Sequence, residues 1–289
     1  MKSLAFVQRN DTRFAVGGFA PVLSVFSYHE LGSTVSPFLL LDHIGPGRLL
    51  PSARRQGVED HPHRGFETVT LVYAGELEHR DSAGNGGLIG AGDVQWMTAA
   101  GGVVHRELFS AAFTRRGGPF EMIQLWVNLP AADKLRAPGY QSLAATGIPV
   151  VALPGGAGSV RVIAGIFDGV SGAVRTHTRM NVLDVQLHAG TSAVFPAADG
   201  DTALVYLRRG RLRFDTEEVV EANGLAVLSN HGAGIPVTAL EASQLLVLSG
   251  ARIDEPINGH GPFVMNSYAE ILQAYDDVKR GRLEPKPEA

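Results

Sequence analysis

The run Phe66-Glu67-Thr68-Val69-Thr70-Leu71-Val72-Tyr73 is rich in β-branched and aromatic residues and stops at Ala74-Gly75, which predicts a strand. Gly75-Glu76-Leu77-Glu78-His79-Arg80-Asp81 follows with alternating character, the period of a half-buried strand, and ends in the turn cluster Ser82-Ala83-Gly84-Asn85-Gly86-Gly87. Gly90-Ala91-Gly92-Asp93 marks another turn before Val94-Gln95-Trp96-Met97. Met122-Ile123-Gln124-Leu125-Trp126-Val127 makes a further strand, stopped by Pro130. Strands this short, with turns this closely spaced, predict an all-β sandwich or barrel rather than a parallel α/β sheet.

The second half repeats the rhythm. Leu204-Val205-Tyr206-Leu207 and Gly210-Arg211-Leu212-Arg213-Phe214 resemble Leu71-Val72-Tyr73 and Gly75-Glu76-Leu77, and Gly224-Leu225-Ala226-Val227-Leu228 parallels Gly92-Asp93-Val94-Gln95-Trp96. Gly75 and Gly210 are 135 residues apart, and Gly92 and Gly224 are 132 apart. A nearly fixed offset predicts duplication of one β domain. Pro130, Pro138, Pro149 and Pro154 place the join near Leu129–Gly158. The expected division is an N-terminal domain over 1–130 and a C-terminal one over 131–289.

Helix is scarce. Ala131–Arg136 suits a short helical turn. Ser267-Tyr268-Ala269-Glu270 reads as a capping box, with Tyr268, Ile271, Leu272, Tyr275 and Val278 at helical spacing on one face and Gly281 as the stop. The tail Glu284–Ala289 is expected to fray.

Composition narrows the chemistry. Glycine is in excess, 35 of 289 residues, which suits many tight turns. There is no cysteine, so disulfides, thiolate nucleophiles, zinc–thiolate sites and iron–sulfur clusters are excluded. The net charge of −4, with the arginine pairs Arg54–Arg55, Arg115–Arg116 and Arg208–Arg209 isolated from one another, argues against a general grip on nucleic acid. No apolar run approaches the ~20 residues that cross a bilayer, and the opening residues lack a secretory core, so no membrane association and a cytoplasmic location are expected.

Two triplets carry the chemistry. His61-Pro62-His63 precedes the Phe66–Tyr73 strand, and His105-Arg106-Glu107 comes later. Residues i and i+2 of a strand share a face. Each triplet can therefore present two ligands, and adjacent barrel strands would gather three imidazoles and a carboxylate. That set suits a borderline divalent metal such as Fe²⁺, with Mn, Co, Ni, Cu or Zn as alternatives. Four protein ligands on a six-coordinate ion leave two positions for water, O₂ or substrate. Glu67, an even step from His63, competes with Glu107 for the carboxylate role.

His61-Pro62-His63-Arg64-Gly65-Phe66-Glu67-Thr68-Val69-Thr70 resembles the signature of the pirin family of bicupins. The resemblance continues through residues 75–82, 92–99, 102–107, Leu125–Pro130 and the Gly261-Pro262-Phe263-Val264-Met265-Asn266 segment, and so covers most of the chain. It implies two cupin (jelly-roll β-barrel) domains with a short C-terminal helix. It also implies one metal, usually iron, in the N-terminal cupin on His61, His63, His105 and Glu107, with Glu67 held in reserve beside the ligands. Ala91 departs from the proline that often opens the Pro-Gly-Asp turn. Carrying the duplication offsets onto the second half lands on Pro196, Ala198, Val237 and Ala239, none of which binds metal. His177, His188, His231 and His260 read as structural or surface residues, and His79 has no assigned role.

The enzymatic function implied is that of a quercetin 2,3-dioxygenase-like pirin, which opens a flavonol ring with O₂ and releases CO. Glu107 or Glu67 would accept the substrate proton. A small planar apolar substrate such as a flavonol asks for a pocket lined by residues such as Phe66, Trp96, Met97 and Phe120, each also a core candidate. The alternative is a non-catalytic iron-binding pirin that regulates by binding a protein partner.

Overall fold

The strands expected over 66–73, 75–81, 94–97 and 122–127 are Phe66–Ala74, Glu76–Asp81, Val94–Thr98 and Gly118–Asn128 in the computed structural model, which describes residues 1–283. The tail expected to fray lies outside the described residues. Phe66–Ala74 runs between Val94–Thr98 and Gly118–Asn128 in a seven-stranded sheet that continues through Phe38–Leu49 and Phe19–Ser27 to Arg13–Val16. A four-stranded sheet, in the order Gly57–His63, Val103–Phe109, Glu76–Asp81, Gly86–Gly90, completes the barrel. Phe19, Val72, Leu77, Phe109, Phe120 and Met122, drawn from both sheets, pack into one apolar cluster inside it.

The C-terminal half is built on the same plan. Leu225–Leu228, Thr202–Arg209, Ser243–Gly250 and Met180–Leu187 are the middle of a seven-stranded sheet, and Ser192–Phe195, Ile235–Ala239, Arg211–Arg213 and Val219–Glu221 form the four-stranded partner. Val162, Leu183, Phe195, Val205, Leu212 and Val237 belong to its fully or nearly fully buried core. Two copies of a seven-plus-four arrangement are the duplicated cupin barrels.

The chain does not separate at one cut between 130 and 131. The edge strand beside Val94–Thr98 is Gly139–Leu143, and the edge strand beside Leu225–Leu228 is Leu4–Gln8 from the start of the chain. One compact unit therefore comprises Thr12–Ser24, Phe38–Ala145 and the residues from Asp254 onward; the other comprises Met1–Asp11, Val25–Pro37 and Thr146–Ile253. The physical reason is edge protection: each large sheet needs a strand to cover an open edge, and the strand that does so is distant in sequence.

The expected C-terminal helix is Tyr268–Lys279, with Ser267 as its cap and Gly281 at φ 63° just beyond it. The capping box forms: the Ser267 hydroxyl accepts from the Glu270 N–H at 3.3 Å, and Glu270 reaches back to the cap. Its Oε2 accepts from the Ser267 hydroxyl at 2.8 Å and from the Asn266 N–H at 3.2 Å. The buried face is Ile271, Ala274 and Asp277, with Tyr275 and Val278 partly buried. Tyr268 and Leu272, expected on that face, are 68% and 53% exposed. The stripe is rotated because Asp277 is drawn inward to Arg64, at 2.8 Å. Ala131–Asp133 is a 3₁₀ turn, and Ala111–Arg116 is a short helix that the periodicity did not indicate.

Candidate metal centre

Strand pairing brings the two triplets together. Gly57–His63 lies antiparallel to Val103–Phe109, with His61 opposite His105 and His63 opposite Val103. The rings of His61, His63 and His105 sit 4.2–4.9 Å apart, centroid to centroid. One ligand atom from each falls within a 4.8 Å cluster. The pairing shifts between His105 and Glu107, with the extra residue on the first strand, whose partners step from His61 to Val58. Glu107 clusters with His105 and His79 by the same measure, and it lines one cavity with His61 and His63.

Each imidazole is held so that one nitrogen is left for the cavity. His61 Nδ1 lies 2.8 Å from the Glu59 carbonyl oxygen, and His63 Nδ1 lies 3.2 Å from that of Pro262. A carbonyl oxygen only accepts, so both Nδ1 atoms donate and the Nε2 atoms are left for the cavity. His105 Nδ1 faces His79 Nδ1, whose ring contacts Asp81 Oδ2 through Nε2 at 3.3 Å. His105 Nε2 is buried and has no hydrogen-bond partner. Burial, aided by His61, pushes His63 down to about 3 against the pull of the Pro262 carbonyl. Burial and the neighbouring histidines likewise hold His105 well below its ordinary value. The imidazoles of His63 and His105 are therefore neutral, the form that can bind a metal.

The carboxylates separate clearly. Glu107 Oε1 accepts from Gln95 Nε2 at 2.8 Å and lies 3.0 Å from Thr70 Oγ1. Gln95 in turn accepts from the Tyr140 hydroxyl at 3.2 Å, and the Tyr140 ring stacks on His79 at 4.9 Å. Glu67, buried on the Phe66–Ala74 strand, instead takes a 2.6 Å bond from Thr98 and is not among the cavity-lining residues. An odd step separates it from Thr70, so the two point to opposite faces of the strand. The even step from His63 does not carry across because Gly65 intervenes at φ 88°, which breaks the alternation. A side chain at Gly65 would also overlap the Val264 carbonyl.

Of the two roles open to the aromatic candidates, core packing is the one found. Phe66, Trp96, Met97 and Phe120 are all core, at 0–4% exposure, and none lines the cavity of about 170 Å³ beside the histidines. Its apolar wall includes Phe19, Val22, Leu40, Ile44 and Trp126, and its polar side is Asp42, His61, His63, Glu107 and Gln124. Phe66 instead backs the site, with its ring 5.0 Å from His63 and 4.3 Å from Trp126.

Several supports were invisible in the sequence. Pro262 reaches His63 across 199 residues. The segment carrying Pro262 is pinned to the residues after His63. The Val264 N–H donates to the Arg64 carbonyl at 3.0 Å, and buried Lys134 donates to the carbonyls of Gly65 and Val264 at 2.6 and 3.0 Å. The 261–266 motif was part of the resemblance but carried no role. Its role here is to orient His63.

Among the described residues, the same pairing puts no histidine or carboxylate at the equivalent positions of the second barrel. Ala193 stands opposite Val237 where His61 stands opposite His105, and Phe195 stands opposite Ile235 where His63 stands opposite Val103. On the other strand Leu212 faces Ala239 where His79 faces Glu107. The register moves the equivalents of His61 and His63 to Ala193 and Phe195, three residues before Pro196 and Ala198. Like those positions, Ala193 and Phe195 cannot bind metal. A larger cavity of about 850 Å³ is lined by Ala193, Phe195 and Val237, but its basic group, Arg179, is tied to Asp201 at 2.6–2.7 Å. Size alone does not make it the reactive site.

The Pirin family model matches residues 20–127, and the model for the Pirin C-terminal cupin domain matches residues 182–284. The chain belongs to the pirin family. This pirin is 50% identical, over 98% of both chains, to a Pseudomonas aeruginosa protein named provisionally as a quercetin 2,3-dioxygenase. It is 35% identical to human pirin, over 86% of this chain and 83% of that one. The crystal structure of a quercetin 2,3-dioxygenase from Acinetobacter baumannii superposes with a TM-score of 0.95 at 44% identity, covering 98% of each chain. Among the described residues no helix is long and apolar enough to cross a membrane.

Proposed function

We propose that this pirin binds one divalent transition metal, iron in the first instance, through His61, His63, His105 and Glu107, and that it is a flavonol 2,3-dioxygenase. The observation that carries the reading is the buried, unpartnered Nε2 of His105 beside two imidazoles whose own Nδ1 atoms are already engaged. A buried nitrogen without a partner is costly unless something fills the place. Three imidazoles and a carboxylate fit a metal of the iron–zinc series.

When bound, the metal supplies Lewis-acid polarisation of a substrate hydroxyl and, as iron, redox chemistry with O₂. The chain does the rest. Gln95 and Thr70 hold one oxygen of Glu107 and leave the other for the centre. Phe19, Leu40, Ile44 and Trp126 offer apolar contacts to a flat ring. The cavity takes the chelating edge of a flavonol, with the remainder extending through the mouth. Names given to the close relatives point to the same substrate class. Glu67, on the far face of its strand, has no path to a substrate proton, and Glu107 serves the site as a ligand.

The test is anaerobic loading with iron, followed by O₂ uptake and CO release with quercetin. Activity is expected with iron and lost with zinc, which has no redox chemistry. Activity is also expected to vanish in His63→Ala and to survive changes at His177 or His231. Full iron loading without turnover of any flavonol would overturn the enzymatic reading. One observation favours partner binding as a second reading. Val16, on the cavity lining, is 37% exposed, and Phe14, on the same edge strand, is 41% exposed. An iron-dependent complex formed in the absence of turnover would favour it.

A further inference from the structure

Asp42 is a carboxylate that the ligand set does not use. It sits on the Phe38–Leu49 strand with Leu40 and Ile44 two residues to either side, and all three line the cavity that His61, His63 and Glu107 line. Such i, i±2 spacing puts the three side chains on one face. Gln124 stands directly opposite Asp42 on the neighbouring strand and lines the same cavity. Asp42 Oδ1 is buried and has no hydrogen-bond partner.

Resting on the flavonol reading, we propose that Asp42 is the catalytic base: it accepts the proton of the substrate hydroxyl that engages the centre. The O–H bond of the substrate breaks, an O–H bond forms on Asp42, and no electrons change hands. The negative charge moves from Asp42 to the substrate oxygen, where the centre neutralises it. Glu107 is poorly suited to the task, because its Oε1 is already occupied by Gln95 and Thr70 and its other oxygen is committed as a ligand.

The surroundings agree. The titratable groups sharing the cavity are His61, His63 and Glu107, and Ser24 hydrogen-bonds to the Asp42 carboxyl. Burial pushes Asp42 up to about 6, against the pull of Ser24. At pH 7 the group is therefore mostly ionised, yet far more basic than an ordinary carboxylate, as a general base near neutrality should be.

The experiment uses zinc-loaded protein, in which quercetin binds without turning over, at pH 7. Stopped-flow absorbance follows formation of the flavonol anion, and a pH indicator counts protons released to the medium. Wild-type protein is expected to form the anion quickly and release few protons. Asp42→Asn, with zinc content and unfolding temperature checked against wild type, is expected to form it about 10²-fold or more slowly and to release about one proton per site. Asp42→Glu should restore part of the rate. If wild type and Asp42→Asn form the anion at the same rate with the same proton release, the role of Asp42 is overturned and the flavonol reading stands. Loss of zinc in both Asp42 variants would also overturn it, by making the residue a support of the centre. If zinc-loaded wild type shows no spectral change with any flavonol, the flavonol reading falls and this role falls with it.

Discussion

His105 Nδ1 and His79 Nδ1 lie 3.5 Å apart, a contact that holds a single proton between two rings. Asp81 decides which ring has it. Its carboxylate only accepts, so His79 donates to it through Nε2, and the His79 Nδ1 is left to accept the N–H of His105. Burial pushes the Asp81 carboxyl up, but hydrogen bonds from His79 and Asn85 outweigh it and hold it below its ordinary value, so the chain is anchored by a charge. His79→Leu, which installs the residue found at the equivalent position 212, is expected to keep the fold and weaken metal binding about 10–100-fold. Asp81→Asn should move affinity in the same direction. Competition with a chromophoric chelator measures both, and unchanged affinity in His79→Leu would remove the residue from the site.

The two buried glutamates make opposite predictions. Glu107→Ala should purify with little metal, because a carboxylate is lost from the cluster. Glu67→Ala should retain it, while losing about 1–3 kcal/mol of stability through the unpaired Thr98 hydroxyl. Elemental analysis and urea denaturation read the two effects separately. Metal kept in Glu107→Ala and lost in Glu67→Ala would show the carboxylate roles to be reversed.

Much of this arrangement was legible because it is local. Two H-x-H/E triplets declare their shared faces by period 2, and the glycine-bounded strands declare a barrel. What the sequence does not show is reach and register. Asp42 follows an apolar run and precedes His43, and it is the strand pairing with Gln124 that sets it beside the cavity. The carbonyl that orients His63 is a backbone atom, which no side-chain pattern can reveal. Glu67 illustrates the converse error: counting residues assumes an unbroken strand, and one glycine at positive φ reset the count. The aromatic candidates pack in the core instead of lining the cavity, for a different reason. Trp96 is one residue from Gln95, which bonds Glu107, and so points away from the site.

The C-terminal segment should act on the centre from a distance. Asp277 accepts from Arg64 at 2.8 Å, and the Arg64 side chain is only 8% exposed. Arg64 Nε also donates to the Gly101 carbonyl at 2.7 Å, so the guanidinium ties the end of the His61–His63 strand to two other segments. Asp277→Ala leaves this cation without its carboxylate and is expected to cost about 3 kcal/mol. Loosening the pin should also let the Pro262 carbonyl drift from His63. The expected results are faster proteolysis in residues 254–283 and weaker metal binding. Faster proteolysis with unchanged metal affinity would show that the segment closes the fold without steering His63.

The stability of metal-free protein should carry the signature of Asp42 as a function of pH. Its carboxyl is raised from the ordinary value to about 6 by burial. Between about pH 4 and 6 the native state therefore holds a proton that the unfolded chain has lost. Stability contributed by this group is complete below about pH 4 and is lost as pH rises through 6. Asp42→Asn has no charge to bury and should escape that loss. Relative to wild type it is expected to gain stability steadily across pH 4–6 and to level off above, with a rise of up to about 3 kcal/mol. The amide's own hydrogen-bonding cost does not depend on pH, so the slope of the difference is the measurement, whatever its offset. Urea denaturation of both metal-free proteins at pH 4, 5, 6, 7 and 8 provides it. A flat difference would mean that Asp42 titrates as an ordinary carboxylate. A rising one would show that the fold gives up stability to keep a basic carboxylate beside the histidines, as expected of a residue retained for function rather than for packing.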